Sequence, residues 1–489
     1  MSRKQAPPLP FEQYRRAAAI ALAGCSVCLV CATLWAPAAL AVDKAPKSAA
    51  KTAAKKEAAA DNDAKEEFRA AKKDIQTRLR NKQVFERITA LRDAGKYPTP
   101  DAAKLIVSVG LKDDAPEVRS AAYDTLLDFK DNAEVARYLL VTVGKETRRG
   151  SIGPNALPML AVLLASSLPD VEHDVTAYLE KQANGHDGPV VVAALADELG
   201  GHGQPDDVTQ LAKLAKLSAF DREFGLRRSV VQALIKIGST PAVGQLIAIL
   251  EKVKGEIRGD IVQYLAEATG QDLGLDSAAW TQWWKDNEKT FQAPGAPVQR
   301  KDVKEFAAGR PGGRGTSMYY GLSIYAQKLV FIIDISSSML GPRLDAAKRE
   351  LLQAIDGLTE ETEFSIVAFN SDVHPWQRQL VPANSQMKQA ASRWVSQLQA
   401  NSMTASYDAL ESGLRFDAEA LYFLTDGEPH GGKVSAPAEI VELITRVNYS
   451  RRLSIYTIGI GVGAPGSVFD EFLSALAKQN WGVYRRVDQ

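Results

Sequence analysis

The sequence predicts a multidomain chain: an α-helical repeat array followed by a doubly wound α/β domain. Three observations carry that expectation. From Pro98 to Thr290 apolar residues recur at helical spacing, helix after helix. From Ser317 onward the pattern alternates strand and helix, as a doubly wound sheet requires. Between the two, Phe291 to Thr316 carries APGAP and GRPGGRG, which hold neither helix nor strand.

Length and composition frame the domains. The chain has 489 residues, of which 45% are hydrophobic, an ordinary content for globular cores. Basic and acidic residues balance at 59 each, so no global field draws nucleic acid. The three cysteines, Cys25, Cys28 and Cys31, all lie in one N-terminal apolar run. From residue 42 onward this excludes a disulfide framework, a thiolate zinc site and a cysteine nucleophile.

Residues 1–41 are expected to be a signal peptide. Arg15-Arg16 precede an uncharged stretch from Ala17 to Val42, and Ala39-Leu40-Ala41 offers a small-x-small cleavage pattern. An uncleaved membrane anchor and a lipoprotein, the latter on Leu22-Ala23-Gly24-Cys25, are the alternatives. All three put the domains outside the cytoplasm, in the periplasm or extracellular space. Residues 42–65, rich in Ala and Lys, cannot bury a core and are expected to be a linker, disordered or weakly helical.

Residues 66–290 are expected to be the helical domain. Three segments share one template: Val118-Arg119 with Ala122 and Leu126, Leu226-Arg227 with Val230 and Leu234, and Ile257-Arg258 with Ile261 and Leu265. Positions i, i+4 and i+8 lie on one helix stripe, so each segment has a core face. The arginines recur 108 and 31 residues apart, in keeping with irregular units of about 30–36 residues, and the region resembles a HEAT-type array. Trp280, Trp283 and Trp284 form one face of a last helix and are read as its cap. Residues 291–316 are expected to be a linker acting as a hinge. GRPGGRG lacks the Gly-Lys-Ser/Thr ending of a phosphate loop.

Residues 317–489 are expected to form the α/β domain. Leu329 to Ile333 is an unbroken apolar run, the mark of a strand buried on both faces, and it ends in Asp334, Ser336 and Ser338. One carboxylate and two hydroxyls at i, i+2 and i+4 supply hard oxygen ligands of the kind Mg²⁺ or Mn²⁺ prefers. Ala420 to Leu424 is a second such strand and runs into Thr425-Asp426-Gly427, while Thr404 could add a third hydroxyl. Asp334 and Asp426 thus both fall at strand ends, where ligands of such sheets bind.

These motifs resemble the metal-ion-dependent adhesion site of von Willebrand factor type A domains. The resemblance covers about the last third of the chain. It implies a Rossmann-like sheet and metal ligation by Asp334, Ser336, Ser338, Thr404 and Asp426, with Mg²⁺ (or Mn²⁺ or Ca²⁺) as the ion. It also implies a partner protein whose Glu or Asp fills an open coordination position. Two departures stand out: Ser337 where the family usually has Gly, and Ser402-Met403 where it usually has Gly-Gly.

No catalytic residue is expected. Neither a Gly-x-Ser-x-Gly elbow nor a His-Glu-x-x-His helix occurs, and the five histidines make no spaced pair. His430, four residues after Asp426, is placed on the rim of the metal site. The expected function is metal-dependent binding or adhesion in the bacterial cell envelope. The alternative is a scaffold in which the helical array binds and the metal site is idle. Contact with a membrane is expected only through an N-terminal anchor.

Overall fold

The computed structural model describes residues 47–147, 152–153, 155–185, 188–294 and 317–488. The chain divides into two compact units, Met1–Ala59 and Ala60–Gln489. Of the first unit residues 47–59 are described, and they are helical. The signal peptide expected over 1–41 and residues 295–316 of the expected linker lie outside the described residues. Among the described residues no helix is long and apolar enough to cross a membrane.

Helix Lys47–Arg78 includes residues 47–65 of the expected linker, in its helical rather than its disordered form. Alanine and lysine are strong helix formers, so the stretch can be helical without a core face of its own. Phe68, Ile75 and Leu79 are the first side chains to enter the helical core.

The helices that follow lie in two layers. Val84–Ala94, Pro116–Leu127, Ala156–Leu164, Val190–His202, Phe224–Ile237 and Gly255–Thr269 each pack on the next of the series. The second layer starts with Pro100–Leu105, Ala133–Glu146 and Pro169–Ala183 and closes with Thr240–Leu250 against Ser277–Asn287. Each helix therefore buries its stripe on neighbours of both layers, as stacked helix pairs do. All nine apolar template positions, from Val118 to Leu265, are buried.

The template arginines show why the motif recurs. Arg119 donates to the carbonyls of Asp113 and Asp114, and Arg227 to those of Phe220 and Asp221. In both, a guanidinium satisfies carbonyls of the segment just before its own helix, a loop for Arg119 and the short helix Ser218–Arg222 for Arg227. Arg258 instead donates to the carbonyl of Leu275, tying its helix to the last one. That last helix buries Trp280, and Trp283 and Trp284 meet Phe291 edge-on. The tryptophans form a cap, as expected.

The α/β domain opens with a hairpin, β1 (Met318–Tyr319) and β2 (Leu322–Ser323), turned by Tyr320 and Gly321 at φ 50° and 80°. Positive φ at both turn residues is the geometry of tight hairpins. The main sheet comprises β3 (Lys328–Asp334), β4 (Glu363–Phe369), β5 (Val373–Pro375), β6 (Val381–Pro382), β7 (Ala420–Thr425), β8 (Ser454–Ile460) and β9 (Tyr484–Val487). Its order is β5-β4-β3-β7-β8-β9, with β6 also on β4. β3 pairs in parallel with β4 on one side and β7 on the other, so the strand order reverses there. Leu329, Phe331 and Ile333 pack against helices Pro342–Asp356 and Ser385–Ser396, and Val330 and Ile332 against those on the opposite face. Burial on both faces explains why these strands are continuous apolar runs.

The helical layer docks on the amino ends of the strands. Arg228, from helix Phe224–Ile237, is fully buried. It donates to the Arg452 carbonyl at 2.9 Å and to Ser454 Oγ at 2.8 Å, and pairs with Asp260 at 2.9 Å. Ser454 and Tyr456 both donate to Glu256 of helix Gly255–Thr269, and Arg452 pairs with Asp197. Glu419, just before β7, accepts from the Glu256 and Gln327 amides at 3.0 Å each. It therefore caps a helix of the array with a carboxylate from the sheet domain, where the helix dipole favours negative charge. Gly255 is required there twice over: its φ is +64°, and a Cβ would stand 2.0 Å from the Glu419 carboxylate.

Candidate functional site

At the opposite, carboxyl ends of β3 and β7 the expected ligands come together. β3 delivers Asp334, and the chain turns at once so that Asp334 accepts from the Ser336 amide at 2.7 Å. A short turn, Ser337–Met339, then brings Ser338 Oγ to 3.0 Å from Ser336 Oγ. β7 delivers Asp426, whose Oδ1 accepts from Ser338 Oγ at 2.6 Å. The Thr404 hydroxyl joins them around Gly427, where a Cβ would lie 3.3 Å from Ser338 Oγ and 3.7 Å from Thr404 Oγ1. All five expected residues thus line one cradle.

Two straps hold the threonine loop to the rest. The Ser337 amide donates to the Ser402 carbonyl at 3.0 Å. Thr404 and His430 exchange both backbone hydrogen bonds, at 3.0 and 2.9 Å. His430 itself is exposed, so it stands on the rim and is tied in by its main chain.

The two departures from the family pattern differ physically. Ser337 keeps an ordinary negative φ and needs no glycine. Ser402 sits at φ 63°, in the left-handed region that glycine occupies freely and serine does not. The first departure is neutral and the second carries strain.

Burial shapes the electrostatics. Asp334 is completely buried, and burial pushes its carboxyl up to about 6 against the hydrogen bonds from Thr425 and Ser336. Ser336, Thr404 and Asp426 are buried too, whereas Ser338 is exposed and opens the cradle to solvent. Among the described residues no group of three or more His, Cys, Asp and Glu could hold a metal ion. A cation here must therefore rest on hydroxyls as much as on carboxylates. The donor set fits such an ion: every group is a hard oxygen, buried Asp334 is met by an amide and a hydroxyl rather than by a cation, and the missing side chain of Gly427 leaves a gap beside two hydroxyls.

Two residues of the site were missed in the sequence. Thr425 donates to Asp334 Oδ2 at 2.5 Å and fixes that carboxylate. Its signal was available, since it is the last residue of β7 and immediately precedes Asp426. Arg343, the second residue of helix Pro342–Asp356, reaches Asp426 Oδ2 at 2.8 Å. At sequence level it is one more polar residue on an amphipathic helix.

Residues 327–486 match the family model of the von Willebrand factor type A domain. The chain is 29% identical over 180 residues to inter-alpha-trypsin inhibitor heavy chain H3 of Bos taurus, covering 34% of this chain and 20% of that protein. Heavy chain H4 of Homo sapiens is 27% identical over 182 residues, covering 35% and 19%. The chain thus spans about a fifth of the length of these curated relatives. Among solved structures it is similar to a von Willebrand factor type A protein from Catenulispora acidiphila, with a TM-score of 0.30, 26% identity and coverage of 34% and 40%.

Proposed function

We propose that this chain, an α-helical array followed by a von Willebrand factor type A domain, is a non-enzymatic binding protein that engages a protein partner through a divalent cation. The observation that carries the reading is the cradle itself, with hydroxyls of Ser336, Ser338 and Thr404 and carboxylates of Asp334 and Asp426 at adjacent strand ends. Asp334 and Asp426 would supply the charge, and the three hydroxyls neutral oxygens. Bound Mg²⁺, Mn²⁺ or Ca²⁺ would supply a Lewis-acidic positive point at the protein surface. Hydroxyl ligands leave that charge poorly neutralised, so a Glu or Asp carboxylate of the partner is the fitting ligand. Exposed Ser338 marks the side from which it approaches.

The array, read as HEAT-like, adds a broad second surface. The place of action is the cell envelope, outside the cytoplasm, on the strength of Arg15-Arg16 and the uncharged stretch behind them. Titration calorimetry with Mn²⁺ tests the core of the proposal. The protein should bind Mn²⁺ and Asp334→Ala should not, and partner capture should require Mg²⁺ and fail in EDTA. Equal capture by both proteins in EDTA would defeat the reading.

One observation favours a second reading. The Arg343 guanidinium already faces Asp426, as it would in a scaffold whose metal site is idle and whose array does the binding. In that case chelation changes nothing.

A further inference from the structure

Both oxygens of Asp426 are engaged: Oδ1 by the Ser338 hydroxyl at 2.6 Å and Oδ2 by Arg343 Nη1 at 2.8 Å. The Asp426 side chain is fully buried, whereas that of Arg343 is 35% exposed. The same Nη1 lies 3.4 Å from the Ser338 carbonyl, so the guanidinium spans the mouth of the cradle between the two strand ends. A guanidinium stays charged at any physiological pH. Whatever neutralises Asp426 before a metal ion arrives is therefore a fixed positive charge on a long, half-exposed stem.

We propose that Arg343 is a positioning residue that competes with the divalent cation for Asp426. This rests on the cation-binding reading above. With no ion bound, Arg343 holds the buried carboxylate in place and removes its isolated charge. With an ion bound, two cations face one carboxylate oxygen, so the guanidinium must either yield Oδ2 or oppose the ion across it. Either way the site binds its ion more weakly than its ligands alone would allow, and its occupancy follows the ambient cation concentration.

The test is Mn²⁺ titration calorimetry on the full chain and on its Arg343→Gln and Arg343→Lys variants, with melting curves in EDTA and in Mn²⁺. Taking away the like charge that faces the ion across Asp426 Oδ2 should let Arg343→Gln bind Mn²⁺ about tenfold more tightly. Arg343→Lys, which keeps the charge, should stay near the parent. Arg343→Gln should melt lower in EDTA yet gain more from Mn²⁺. A merely structural arginine would give the first shift without the second. Binding by Arg343→Gln alone would support the competition while leaving the parent's own site idle, as the second reading has it. If the parent binds Mn²⁺ and Arg343→Gln binds it equally or more weakly, the inference is overturned while the metal site stands. If no form binds Mn²⁺, both fall.

Discussion

The two ends of the central sheet carry the same kinds of side chain and resolve them in opposite ways. At the amino end Glu256, Asp260, Glu419 and Asp197 meet Arg228, Arg452, two hydroxyls and a helix N-terminus, and the cluster is closed between two domains except at Asp197, whose side chain is 36% exposed. At the carboxyl end Asp334 and Asp426 meet hydroxyls and one half-exposed guanidinium, and the cluster opens to solvent. Buried charge that is internally matched fixes a geometry. Buried charge that is left partly unmatched is available to an outside ion.

The largest effect should come from unmatching the closed end. Arg228→Ala leaves Glu256 and Asp260 buried without their guanidinium and should cost about 3–5 kcal/mol, read by denaturant unfolding. A loss below about 1 kcal/mol, the worth of an exposed pair, would show that the interface is not closed.

The open end should behave inversely. Asp334→Asn removes a carboxylate whose ionisation burial opposes. In EDTA the variant should be as stable as the parent or more so, and it should lose the stabilisation that Mn²⁺ confers. A marked destabilisation in EDTA would erase the contrast between the two ends.

Titration gives a smaller effect. Burial pushes Glu419 up to about 7, against the two amides that favour its charged form. The folded state therefore holds this proton at pH values where the unfolded state has released it. Its contribution to stability is full below the ordinary carboxylate range and is lost as pH rises toward 7. Glu419→Gln, which keeps an oxygen for both amides, should flatten the decline in melting temperature between pH 4.5 and 7. An unchanged slope would assign the decline to other groups.

The smallest effect is at Ser402. Glycine at φ 63° should relieve strain and stabilise the chain by at most about 1 kcal/mol, with the Mn²⁺ affinity unchanged.

The same contrast explains which features are legible in the sequence. The open end is built from short contiguous motifs, because strands buried on both faces are continuous apolar runs and ligand-type residues follow directly at their ends. Residue order alone places Asp334, Ser336, Ser338 and Asp426 at one site. The closed end is built from residues far apart in the chain. Arg228 and Ser454 are 226 positions apart, and each alone reads as a polar residue on a solvated face. Arg343 escapes a sequence reading for the same reason. The hairpin at Met318–Ser323 escapes it because two-residue strands carry no periodicity, and only Tyr320-Gly321 signals the turn.

Docking the array at the amino end of the strands has a mechanical consequence. A load applied between the cradle and the array would pull on opposite ends of the sheet, so tension would run along the strand axes. Parallel ladders loaded in that direction must slip in shear, with many hydrogen bonds sharing the load at once. Pulled sideways they would unzip one bond at a time. Under such a load the sheet would act as a tie-bar between cradle and array.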